Sequence, residues 1–151
     1  MYNCLGFRNQ ANIMKNVMLK IKGKQTNIEG EENIIELITE GKFYTKNGSH
    51  YLVYDETEIS GMEGSTTTLK IQGHKISMKR FGSNSSSLIF EEGKKHRTEY
   101  LTAYGDMSIE VLTDNVDVSI SEVGKGNIDL SYKLNISDNM ESSNHLTIDI
   151  M

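Results

Sequence analysis

Ile128-Asp129-Leu130-Ser131-Tyr132-Lys133-Leu134-Asn135-Ile136 places an apolar side chain at every second position and a polar one between. A period of two is that of a β-strand with one face dry and the other wet, because successive side chains point to opposite sides of the pleat. The same alternation recurs in both directions from this stretch. Val17, Leu19 and Ile21 show it near the start, Met107, Ile109 and Val111 before it, and Leu146, Ile148 and Ile150 at the C-terminus. Val116, Val118 and Ile120 alternate in the opposite phase to Ile109 and Val111, which predicts a turn or bulge at Asp114-Asn115. Glu29 to Glu40 is the nearest approach to a helix, but Ile34, Ile35 and Ile38 are β-branched and the segment runs into Phe43 and Tyr44, so it reads as strand.

The connections carry registers. Asn47-Gly48 is a preferred type I′ pair, and a two-residue loop there sets Phe43 opposite Leu52 and Gly41 opposite Tyr54. Ile35, Leu37, Phe43, Leu52, Tyr54 and Glu56 then share a face. A loop at Gly73-His74 sets Ile71 opposite Ile76 and Leu69 opposite Met78, with Thr67 and Arg80 extending that face. A three-residue loop Glu92-Gly93-Lys94 would pair Glu91 with Lys95 and bring Leu88, Phe90, His96, Thr98 and Tyr100 together, with a two-residue loop as the alternative.

The chain of 151 residues is long enough for one domain with a core that needs no metal or disulfide. Residues 1–13 show neither period and read as an N-terminal extension or leader; residues 14–151 read as a single β domain. About eight to ten antiparallel strands joined by short turns escape the hazard of open edges by closing into an up-and-down barrel. A two-sheet sandwich has the same alternation, so periodicity leaves barrel and sandwich balanced.

The balance is tipped by resemblance. The run YLVYDETEISGMEGSTTTLK over residues 51–70, RFG at 80–82, FEEG at 90–93 and YLTAYG at 100–105 resembles the YwiB-like family of small bacterial proteins. The likeness spans residues 14–151, and the ordered series of motifs is more specific than any one of them. It implies an all-β, calycin-like barrel related in shape to lipocalins and streptavidin, in a family of unknown function. No catalytic or ligand residues come with it.

Composition narrows the function classes. A net charge of −5, with lysines scattered among acidic residues, gives no basic field along the chain, so nucleic acid is not an expected partner. Cys4 is the one cysteine, so the chain carries no disulfide framework and a reducing cytoplasm is the expected compartment. No apolar run reaches the roughly 20 residues of a spanning helix, and no membrane partner is expected. Sequons at Asn47, Asn84 and Asn135 are chance matches in an Asn- and Ser-rich chain.

Catalytic signatures are missing: no Gly-x-Ser-x-Gly elbow, phosphate loop, dinucleotide fingerprint or His-Glu-x-x-His pair occurs. His50, His74, His96 and His145 are spread along the chain as turn or rim residues, so neither metal nor cofactor is expected. The anomaly is charge on apolar faces. Glu56 follows Leu52 and Tyr54, and Arg80 follows Ile76 and Met78, yet an unpaired buried charge costs several kcal/mol. Either both cap a barrel end, or they join Tyr54, Tyr100 and Tyr104 at the mouth of a pocket for a small, partly apolar ligand. The stretch 61–68 reads as a long connection or a lid, and Glu56 and Glu58, two apart, as a carboxylate pair on one side. The expectation is a ligand-binding module that is not an enzyme. An interaction barrel with a filled core, pairing with itself as a homodimer or with another protein, is the alternative, and a hydrolase using mouth carboxylates ranks third.

Overall fold

The computed structural model describes residues 14–60, 62–82, 85–102 and 105–151, with the side chains of 100–102 excepted. Residues 1–13, read from sequence as an extension, lie outside the described residues. Ten strands follow one another: β1 (Lys15–Asn27), β2 (Glu32–Lys46), β3 (Ser49–Asp55), β4 (Ser65–Gln72), β5 (Lys75–Gly82), β6 (Ser86–Glu91), β7 (Lys95–Thr102), β8 (Gly105–Ile120), β9 (Gly126–Ile136) and β10 (Met140–Ile150). All ladders are antiparallel, in the order β6-β5-β4-β3-β2-β1-β10-β9-β8-β7. Strands adjacent in sequence thus pair throughout except β6 with β7, and β1 with β10 joins the two ends of the described chain. The sheet is a nearly closed, all-β barrel whose remaining seam lies between β6 and β7.

Local chemistry sets the registers. Asn47 and Gly48 adopt φ of 52° and 80°, the left-handed pair a type I′ turn requires, and Phe43 faces Leu52 while Gly41 faces Tyr54. Gly73 takes φ of 60°, and Ile71 faces Ile76, Leu69 faces Met78 and Thr67 faces Arg80. The phase change in β8 is a bulge between Thr113 and Asn115. It is held from outside: the Val116 amide donates to Glu92 Oε1 at 3.0 Å, and the Gly93 amide to the Thr113 carbonyl at 2.9 Å.

The third hairpin register is corrected. Glu91 and Lys94 close a tight turn, with the Lys94 amide donating to the Glu91 carbonyl, but β6 and β7 form no ladder beyond it. The Gly93 amide and the Lys94 carbonyl are both spent on Thr113 at the β8 bulge, which draws the turn away from continued pairing. Leu88, Phe90, His96 and Thr98 still project to the inner side, where Phe90 meets Tyr132 with ring centroids 4.6 Å apart.

Inward residues fill one end of the barrel. Leu19, Phe43, Leu52, Leu69, Ile71, Ile76, Phe90, Val111, Val116, Ile128, Leu130 and Ile148 are all buried there or at mid-height. Gly41 is part of this packing: a Cβ on it would stand 2.7 Å from Leu19 Cδ1 and 3.0 Å from the Val53 carbonyl oxygen. Toward the other end the inward positions turn polar, through Gln25, Asn33, Glu56, Arg80 and Asn144, and the aliphatic filling stops. Among the described residues no helix is long and apolar enough to cross a membrane.

Candidate functional site

The polar end of the barrel holds an open-mouthed cavity of about 330 Å³. Its walls are aliphatic, from Ile21, Ile35, Leu88, Leu134 and Leu146, and its polar floor comes from Tyr54, Glu56, Arg80 and Tyr132. Ser60 and Met62, from the connection between β3 and β4, close over part of the opening.

One row of the ladder builds the floor. Tyr54 pairs with Thr67, and Thr67 with Arg80, so three strands present these side chains side by side. Glu56 lies just past the end of β3, where its amide donates to the Ser65 carbonyl at 2.8 Å and keeps the backbone extended for one more residue. Its carboxylate turns inward, and Oε2 accepts from Thr67 Oγ1 and from Arg80 Nη2, the latter at 3.3 Å. Arg80 Nε donates to Thr67 Oγ1 at 3.2 Å. Both charges leave water together: the side chain of Glu56 is 4 % exposed and that of Arg80 14 %. Pairing is what makes such burial tolerable.

The field of this network acts on two phenols. Burial, reinforced by the Glu56 carboxylate, pushes the Tyr54 hydroxyl well above the ordinary phenol range. Burial also pushes Tyr132 up to about 12, against the opposing charge of Arg80. Both hydroxyls therefore stay protonated at neutral pH and can donate or accept a hydrogen bond. The site thus offers a neutral ion pair, two phenols and an aliphatic wall.

The structure brings Tyr54, Glu56 and Arg80 together as the sequence indicated. For Tyr100 only the backbone is described, pairing with Met107, and Tyr104 lies outside the described residues. Thr67, which the sequence places on the face of Arg80, belongs to the site although it is not among the expected site residues, and Tyr132 is a further site residue that the sequence reading omits. Thr67 could have been found as the residue opposite Arg80 in the Gly73-His74 register, and Tyr132 as the one polar-tipped member of an otherwise aliphatic inner row.

Two readings are corrected. Glu56 is buried but Glu58 is exposed in the turn over residues 57–60, because the strand ends at Asp55 and alternation ends with it. The expected connection over 61–68 instead runs from 56 to 64, since Ser65–Thr68 already belong to β4. Of the histidines, His50 does not sit in solvent: it is half-buried against Phe43 and bonds Thr45 Oγ1 at 2.9 Å. His96 bonds Glu91 at 3.1 Å and His145 bonds Asp129 at 2.9 Å. No cluster suited to holding a metal ion occurs among the described residues.

A ten-stranded barrel with one packed end and one pocketed end is the class this fold and site define. Residues 19–148 match the family described as Domain of unknown function (DUF1934), and the chain belongs to it. It is 25 % identical over 120 residues to the Uncharacterized beta-barrel protein YwiB of Bacillus subtilis (strain 168), covering 80 % of this chain and 82 % of that one. The crystal structure of the ywiB protein from Bacillus subtilis superposes with a TM-score of 0.73 at 19 % identity, over 95 % of this chain and 98 % of that one.

Proposed function

We propose that this barrel is a non-catalytic, calycin-like module that holds a small, partly apolar ligand in the cavity at its polar end. The observation that carries the reading is the coincidence of a cavity of about 330 Å³ with the buried Glu56–Arg80–Thr67 network at its floor. Ligand sites are concave, mostly apolar and fixed by a few convergent polar groups, and their volumes begin at roughly 300 Å³. A stability-only ion pair has no need of an adjacent void, which forfeits packing contacts. Tyr54 and Tyr132 add hydroxyls that orient a polar end of the guest while its apolar part meets Ile35, Leu134 and Leu146.

Native mass spectrometry of untreated protein tests for a retained small molecule. A fluorescent anilinonaphthalene sulfonate probe tests the cavity directly. Leu134→Trp, which fills the cavity, should abolish probe binding, and Tyr54→Phe should weaken it with the fold intact by circular dichroism. Probe binding that survives Leu134→Trp unchanged would remove the cavity from the reading.

The alternative, an interaction barrel, draws on the seam. Strands β6 and β7 end the sheet order without pairing to each other, and unpaired edges accept a strand from a second copy or another protein. Dimerisation in solution that is lost on placing proline at Ile89 would favour it.

A further inference from the structure

We propose that the outer face of β2 to β5 binds single-stranded nucleic acid. Along the chain the lysines are scattered, which led to the opposite expectation; the ladders gather five of them on one surface. Lys42, Val53, Thr68 and Lys79 form one cross-strand row and Tyr44, Tyr51, Lys70 and Ser77 the next; one step further along, Lys46 pairs with Ser49 and Gln72 with Lys75. Lys42, Lys46, Lys75 and Lys79 thus mark the corners of a rectangle about 14 Å across the strands and about 13 Å along them. Lys70 and the two tyrosines occupy its centre.

The rectangle contains no acidic residue. Glu40 and Asp55 lie one row outside it and Glu91 lies on β6 beside Lys75. None of the five lysines forms an ion pair among the described residues; elsewhere Lys22, Lys24, Lys94 and Lys95 do, and Lys15, Lys20, Lys125 and Lys133 do not. In a chain of net charge −5, a cationic face of this kind, partly offset by Glu91 at the Lys75 corner, is a local field suited to a polyanion.

The central side chains select among polyanions. Tyr44 and Tyr51 stack with centroids 4.7 Å apart and planes 5° from parallel, and Lys70 Nζ lies 5.9 Å from the Tyr51 ring centroid on the side away from Tyr44, so the face of Tyr44 turned away from Tyr51 is the one left for a base. Aromatic groups between lysines suit a strand whose bases are unpaired, since every base has a face to stack and every linkage a charge to neutralise. A duplex hides those faces and asks for an element that enters a groove, which this sheet surface does not present. A lipid surface asks for apolar side chains projecting past the lysines, and within the rectangle the one aliphatic residue is half-buried Val53.

The test is fluorescence anisotropy of the full chain with labelled oligo-dT and oligo-U of about 12 nucleotides. Saturable binding is expected in low salt, with log K falling against log salt at a slope near −3, as for four to five phosphates neutralised on a single strand. The surface variant Lys42→Glu/Lys46→Glu/Lys75→Glu/Lys79→Glu should abolish binding while keeping the native circular dichroism. Tyr44→Leu should weaken it by about tenfold, the worth of one stacked base. No saturable binding at about 100 μM protein, the weak limit of non-specific affinity, would overturn the proposal. So would equal binding of polyglutamate with Tyr44→Leu silent, or a preference for anionic vesicles of phosphatidylserine over the oligonucleotides.

Discussion

Glu56 and Arg80 stand 24 residues apart in sequence and meet at 3.3 Å inside the barrel, with Thr67 bonded to both. The pair closes the polar floor of the cavity and is the most desolvated ion pair among the described residues. Removing one member leaves the other buried and uncompensated. Arg80→Met should therefore destabilise the fold by about 3–5 kcal/mol, and Glu56→Leu/Arg80→Met by less than Arg80→Met alone. Urea unfolding of the wild type, both single variants and the double variant checks this; a cost below about 1 kcal/mol for Arg80→Met would mean that Glu56 stays hydrated.

Tyr54 and Tyr132 give the fold an alkaline limit. Their hydroxyls have folded-state pKa values raised above the unfolded value of about 10, so the native state keeps protons that the unfolded chain loses. This stability is complete below pH 10 and declines as pH rises through about 12 for Tyr132 and beyond for Tyr54. Denaturation midpoints should fall between about pH 10 and 12, and Tyr132→Phe should flatten that fall. Absorbance titration of phenolate should show the Tyr132 step displaced from the others.

Gly41 is expected to resist even one added methyl. A Cβ there would overlap Leu19 Cδ1 and touch the Val53 carbonyl, and Leu19 is fully buried with no room to withdraw. Gly41→Ala should cost about 1–3 kcal/mol as overpacking, with Gly41→Ala/Leu19→Val recovering part of it. Thermal unfolding of the two variants separates steric from conformational cost.

Glu92 holds the β8 bulge through a side chain that composition alone would assign to solvent. Its Oε1 accepts from the amide of Val116, a residue 3 % exposed. Glu92→Ala should destabilise by about 1–2 kcal/mol and Glu92→Gln by much less, because the amide oxygen still accepts. Faster hydrogen exchange at the Val116 amide in Glu92→Ala is the local readout.

Alternation by itself determined the strands, the inward residues and two of the hairpin registers, because the side-chain period of a strand is fixed by its backbone and each turn pair fixes the pairing beside it. It also singled out Glu56 and Arg80, as charges breaking an apolar row. Closure was a different matter. Pairing of β1 with β10, the unzipped seam at β6 and β7, and the cavity depend on which distant segments meet in space, and no local pattern encodes that. Strand pairing also decided that Thr67 would join the buried charges. It gathered lysines from β2, β4 and β5 on one surface as well, since neighbours across a ladder are set by register and not by distance along the chain.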